Sequence, residues 1–373
     1  MSSNLLYLPV VSKKYTVVEL NSALLNNWSF VRPDGTGFWK FLEDAGINYK
    51  KEDFPFLTTH KIPQVLPVFD FDEYMEIASQ GEALAYLYRG FGKALNYVGP
   101  VLDMELEYGF NDHTDRHTLW VSYQSVELLR RSGKNADNTG FYDEKAEVLA
   151  TLVAMLHDLG NFIDRKDHST YSAWLLTRLF KRSQKFKKEW DLVMETILFH
   201  EEPVLVAMDM PLNKMKPVHW ALVAADKMHG GRDRVGGRSI EKGILHEAFE
   251  HDVHILLNAL IARSSWHLKA GKFVYLLDFS IDQLSDKFAA FSRGNGRLWV
   301  PQNFHDLLVR EGKKYRDTFA ELFNKIYKPR MLIATKAIFL LFPSIEMFEV
   351  RLQDTDTRGK VGSGESVVFR VRR

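Results

Sequence analysis

The 373-residue chain has no cysteine. That excludes a disulfide framework and any thiolate metal site, so a bound metal must be held by nitrogen and oxygen ligands. Net charge is almost absent: 49 Lys and Arg stand against 48 Asp and Glu, for a formal +1. No global field draws such a chain to nucleic acid or anionic lipid, so neither a nucleic-acid duplex nor a membrane is expected as a partner. Long apolar runs are missing too. The strongest, AIFLLF at Ala337–Phe342, is far too short to span a bilayer. The opening MSSNLLYLPVVSKKYTVVEL lacks a basic stretch leading into an apolar core. It makes a poor signal peptide, and a soluble cytoplasmic protein is the expectation. What is plentiful is apolar matter, 46% of the chain, enough for one large core or two domains.

Hydrophobic spacing divides the chain into three parts. Residues 1–110 are aromatic-rich with scattered prolines, and VLPVFDFDEYMEIA reads as a strand or loop entering a helix. From about 113 to 232 the pattern is helical. In EKAEVLATLVAMLHDLG, Val148, Leu149, Leu152, Val153 and Leu156 fall at the spacing of a buried helix face, with Gly160 placed to end it. STYSAWLLTRLF, EWDLVMETILFHE and VHWALVAADKMHG each predict a further helix, and GGRDRVGGR predicts a loop. ILHEAFEHDVHILLNALIARSSWHL reads as continued helix and KFVYLLDFSI as a strand. A helical stretch broken or kinked at Pro329 follows, then two antiparallel strands, IEMFEVRLQ and ESVVFRVRR. The expected fold is mainly α. An N-terminal extension (1–110) precedes a helical core (111–270), and a smaller α+β module (271–373) follows it.

The residues suited to chemistry lie in the helical centre: His117, His157, Asp158, His168, His200 and Asp226. Together they offer four imidazoles and two carboxylates, a metal-ligand set without sulfur. His157 and Asp158 are adjacent, and successive side chains on a helix diverge by about 100°. Both can serve only if Asp158 bridges two ions a few ångströms apart. His117, His157 and Asp226 would then hold one ion, and His168 with His200 the other. Two divalent ions (Mn, Fe, Ni, Co or Mg) held this way can orient a phosphate and generate hydroxide between them. A second His-Asp pair, in EHDVH at His251 and Asp252, has no apolar helix before it and no glycine after it, and it reads as a solvated face.

In this order, AMLHDLGN, preceded by His117 and followed by HSTYSAWLL, ILFHEE and VAADK, resembles the HD-domain superfamily of metal-dependent phosphohydrolases. The resemblance covers roughly residues 113–234 and implies an HD-type helical bundle core. It also implies a binuclear metal site and hydrolysis of a nucleotide or another phosphoester, by a phosphodiesterase or phosphomonoesterase reaction. One departure is Asn161, which stands where the common HDxGK form has lysine. The charged loop supplies Lys227, Arg232 and Arg234 as candidate substrate-binding residues that offset phosphate charge. The same ligand order resembles diiron HD oxygenases such as myo-inositol oxygenase. A regulatory HD module that binds a nucleotide without turnover is a third class. The flanking parts are expected to shape the pocket mouth or a homo-oligomer interface.

His113 and His117 lie four residues apart, about one helical turn, in NDHTDRHTLWVSY. His117 matches the family's first metal ligand. His113 resembles the first histidine of the HxxxH signature of cyclic nucleotide phosphodiesterases, which implies a general acid for the leaving oxygen. His113→Ala should then keep its metal yet lose about 10²–10⁴-fold in turnover of an ester with a poor leaving group. A nitrophenyl ester, whose leaving group hardly needs a proton, should lose far less. Equal losses on both esters would defeat the acid role.

Overall fold

The structure is a computed structural model, and it describes residues 69–89, 115–135, 144–162, 168–181, 185–201, 215–231, 234, 257–258, 261–279, 315–355 and 361–373. The described residues are mainly helical, with a small C-terminal sheet, as the sequence implied. Among them no helix is long and apolar enough to cross a membrane. They fall into two compact units. One draws on Met1–Val101, Val121–Lys134 and Thr139–Val223, the other on Leu102–Trp120, Asn135–Asn138 and Ala224–Arg373.

The first unit is helical. A two-residue strand β1 (Phe69–Asp70) leads into helix α1 (Phe71–Met75). Asp70 caps that helix, its carboxylate accepting from the Asp72 and Glu73 amides. A helix over 80–89 (α2) follows, then α3 (Asp115–Asn135), of which Val121–Lys134 belongs to this unit, and α4 (Glu144–Leu156). Beyond a 3-10 turn at Leu159–Phe162 come α5 (His168–Leu179), the short strand β2 (Phe180–Lys181), α6 (Lys187–Leu198) and α7 (Pro217–Met228), which belongs to this unit as far as Val223. Strands β1 and β2 pair in parallel, stacking Phe69 on Phe180 with ring centroids 4.7 Å apart.

Helix α4 is apolar almost all round, and every side chain from Ala146 to Leu156 is buried. Such a helix is stable only when wrapped by other elements. Its one buried acid, Glu147, accepts from Arg130 Nε at 3.1 Å and from the Gln80 amide at 3.1 Å. Tyr74 donates to the Val148 carbonyl at 2.8 Å. The core of this unit therefore surrounds the helix that ends at the HDLG motif.

The second unit contains a four-stranded sheet in the order β3-β4-β5-β6: Ile261–Lys269, Lys272–Phe279, Met347–Thr355 and Val361–Arg372. Helix α8 (Tyr315–Leu341) packs on it through Phe342 just beyond its end, 6.0 Å from the Phe273 ring, and through Asn324, which donates to the Val368 carbonyl at 2.9 Å. The β5–β6 pair is antiparallel, as its alternation implied, and β4 and β5 run parallel.

Two expectations need correction. Residues 261–269 are strand, where the sequence read as continued helix. Ser264, Ser265 and Trp266 are indifferent helix formers, and a two-residue turn at Ala270 and Gly271 closes a hairpin with β4. Both turn residues have positive φ, 46° and 74°, the conformation that matches the twist of a tight hairpin. Helix α8 also runs through Pro329 as one element, so the helix is not broken there.

Glu349 on β5 is fully buried between Lys272, Arg351 and Arg370. Burial alone would raise its carboxyl, but the Arg351 and Lys272 cations outweigh it and hold the group below its ordinary value.

His219 on α7 is a buried histidine of a different kind. Neither ring nitrogen has a hydrogen-bond partner among the described residues. Burial pushes its imidazole down to about 3 from the ordinary 6.5. The unfolded chain takes up this proton below about 6.5, and the native state refuses it until about 3. The contribution to stability is therefore complete above the unfolded value and drains away as the pH falls between the two. The unfolding free energy from urea titration should decline with acidification over that window, by up to about 1.4 kcal/mol per pH unit for one proton. His219→Leu should flatten the decline. An unchanged slope would show that the proton is taken up elsewhere.

Candidate metal centre

In the first unit, four of the expected ligands come together at helix ends. Helix α4 stops at Leu156, a turn earlier than Gly160, so His157 and Asp158 occupy the turn beyond it. His168 opens α5, and His200 follows α6. The His157 Nδ1 lies 2.8 Å from the Ala154 carbonyl, and the His200 Nδ1 lies 2.6 Å from the Ile197 carbonyl. Both are i−3 contacts to carbonyls that a helix C-terminus leaves without a partner. Each carbonyl takes the Nδ1 proton and leaves the Nε2 lone pair bare, the state a metal needs.

The Nε2 atoms converge on Asp158. Its Oδ2 is 3.2 Å from His157 Nε2, while its Oδ1 is 3.1 Å from His168 Nε2 and 3.8 Å from His200 Nε2. His168 and His200 bring their Nε2 atoms to 3.1 Å. Two nitrogens bound to one ion at about 2.1 Å and at right angles would stand about 3.0 Å apart, so the spacing suits a shared cation. Glu201, absent from the ligand set read in the sequence, places Oε1 at 3.3 Å from His168 Nε2. Thus His157, Asp158 and His200 form one potential ligand group, and His168, His200 and Glu201 another, with ligand atoms within 4.8 Å of one another in each. All except Glu201 are buried. Gathering this many ionisable groups away from water is costly without a cation among them, and the donor set fits a divalent metal.

Gly160 makes the convergence possible. Its amide donates to Ser172 Oγ at 2.7 Å, and that hydroxyl donates to the His157 carbonyl at 2.6 Å. A Cβ at Gly160 would overlap the His168 carbonyl oxygen and the Ser172 amide nitrogen, both backbone atoms. Only glycine lets α5 approach the HD turn this closely. Asn161, where the family's lysine would stand, has a side-chain amide with no hydrogen-bond partner among the described residues.

In the second unit, His117 Nε2 lies 3.3 Å from Asp226 Oδ1, and Lys227 pairs with Asp226 Oδ2 at 2.7 Å. His117 Nδ1 meets His229 Nδ1 at 2.6 Å. Arg234 is buried and donates to the His229 carbonyl at 3.3 Å. His113, Arg232 and the EHDVH segment lie outside the described residues.

Two residues beside the expected ligands had escaped notice. Glu201 follows His200 directly in FHEE, and His229 stands three residues after Asp226 in ADKMHG. The signal for His229 was its spacing, since i and i+3 share a helical face. Glu201 had only adjacency to point to it, and it lies past the end of α6, where helical periodicity says nothing.

This is a helical architecture with potential metal ligands at helix ends. Residues 114–235 match the HD domain family model. An uncharacterized protein of Methanocaldococcus jannaschii, MJ1020, is 27% identical over 110 residues, a match covering 26% of this chain and 42% of that protein. The match thus spans about two fifths of the relative's length. No solved structure matches the chain.

Gly160→Ala should force the HD turn and α5 apart. The expected loss is about 1–3 kcal/mol of unfolding free energy, read from urea titration of the metal-free protein. Wild-type stability in this variant would show that the two backbones can separate at no cost.

Proposed function

We propose that this protein is a metal-dependent phosphohydrolase acting on a nucleotide or another small phosphoester, with two divalent ions as cofactors. The observation that carries the two-ion reading is the division of labour within Asp158. One of its oxygens addresses His157 and the other addresses His168 and His200. A carboxylate whose two oxygens face separate imidazole groups is placed to bridge.

On the HD pattern, His117, His157 and Asp226 are assigned to one ion. His168, His200 and the bridging Asp158 are assigned to the other, with Glu201 as a further oxygen ligand. Two ions there supply Lewis acidity toward phosphoryl oxygens and make a nucleophile of water at neutral pH. The protein's own residues do the rest. Ala154 and Ile197 hold His157 and His200 in the tautomer that keeps Nε2 bare. Lys227, beside Asp226, offsets negative charge near the site, and Arg232 and Arg234 are assigned to the substrate's phosphate. His113 is the assigned general acid. Residues 1–110 and 271–373 flank an HD domain taken as 111–270 and serve the pocket mouth or a homo-oligomer interface. The cytoplasm is the assigned compartment.

The test is elemental analysis of purified protein beside a screen of nucleotides, cyclic nucleotides and generic phosphoesters. About two ions per chain and turnover of at least one phosphoester are expected, with Asp158→Ala abolishing turnover and losing at least one ion. Full metal occupancy in Asp158→Ala would remove the bridge. Bound iron that consumes dioxygen while every phosphoester stays intact would replace hydrolysis by oxygenase chemistry.

A further inference from the structure

We propose that His229 is the positioning residue for His117. It accepts the Nδ1 proton of His117 and so fixes a bare Nε2 beside Asp226. The proposal rests on the metal-site reading above.

A histidine ligand must be neutral and must turn an unprotonated nitrogen toward the ion. For His117 that nitrogen is Nε2, 3.3 Å from Asp226 Oδ1. Its proton therefore belongs on Nδ1, and Nδ1 needs an acceptor because the ring is buried. His157 and His200 solve the same problem with carbonyls three residues back, at helix C-termini where such oxygens are left over. His117 cannot use that device. It sits in the first turn of α3, where amides rather than carbonyls lack partners. The acceptor must come from another element, and what stands at 2.6 Å from His117 Nδ1 is the Nδ1 of His229.

Two nitrogens that close share one proton, so one donates and the other accepts. With the proton on His117, His229 accepts at Nδ1 and carries its own proton on Nε2. The rest of the surroundings holds His229 in that pose. Its ring stacks on Trp120 with centroids 4.3 Å apart and planes 11° apart, and also lies nearly parallel to the His117 ring. Arg234 holds its carbonyl, its amide reaches the Asp226 carbonyl at 3.3 Å, and Tyr275 donates to the neighbouring Met228 carbonyl. His229 is itself buried. Because it follows Asp226 by three residues, the end of α7 supplies both a ligand and the group that orients a second ligand.

The test uses Mn²⁺ titration of the metal-free full chain by calorimetry, together with ¹⁵N NMR of the histidine rings. His229→Phe keeps a ring against Trp120 and removes the acceptor. His229→Asn places an amide oxygen close to where Nδ1 stands, and His229→Gln carries its oxygen one bond too far. His229→Phe and His229→Gln should weaken Mn²⁺ binding by about 10–100-fold, with His229→Asn close to wild type. Should His229→Phe fail to fold, the comparison of Asn with Gln decides in its place. Unchanged affinity in His229→Phe, or equal losses in Asn and Gln, would overturn the proposal. If wild-type protein binds no Mn²⁺ at all, the metal reading fails separately, and the ring spectra still judge His229. His117 should carry its proton on Nδ1 in wild type and lose that bias in His229→Phe, and a proton on Nε2 in the wild type would end the idea.

Discussion

Everything near the HD motif depends on one carboxylate kept away from water. Asp158 is buried beside three imidazoles, with its two oxygens facing different rings. A charge in that position is sustained only by a cation or by protons on the histidines. At His157 and His200 the Nδ1 of each already donates to a helix carbonyl, so Nε2 is the nitrogen directed at the acid. The donor set is one that a divalent cation would fit. Helix α4 delivers the acid, Gly160 admits α5, and α6 ends where His200 can reach it.

The second unit poses the same problem on a different scaffold. Its candidate ligand, His117, starts a helix instead of following one, and in the proposed arrangement the acceptor for its other nitrogen is the residue three places past Asp226. On the proposed reading, a bare Nε2 has a backbone solution at two histidines and a side-chain solution at a third. Glu349 shows a third way of keeping a buried charge, since it meets three cations from three strands and stays ionised.

Much of this was legible in the sequence. The ordered His, His-Asp, His, His and Asp residues stood out because apolar helices lead into them, and helix periodicity survives in a single chain. The two C-terminal antiparallel strands were legible for the analogous reason, alternation. Residues 261–269 were misread because the strand is exposed along much of its length and shows weak alternation, while its real marker was the short Ala-Gly turn. Glu201 and the role of His229 were invisible for another reason. A side chain that acts on a neighbour leaves no periodic trace, and the choice of tautomer depends on which carbonyls a helix end happens to leave over.

The carbonyl contacts of His157 and His200 also bear on how the site meets an ion. Both rings are held in place by the protein itself, through backbone that α4 and α6 keep rigid. An arriving ion therefore has little conformational entropy to remove from these two side chains, and its binding energy is not spent on building the pocket. A receptor assembled in advance favours ions whose preferred geometry it matches. Selection also falls to ligand chemistry, imidazole and carboxylate without sulfur, and to which divalent metal the surroundings supply.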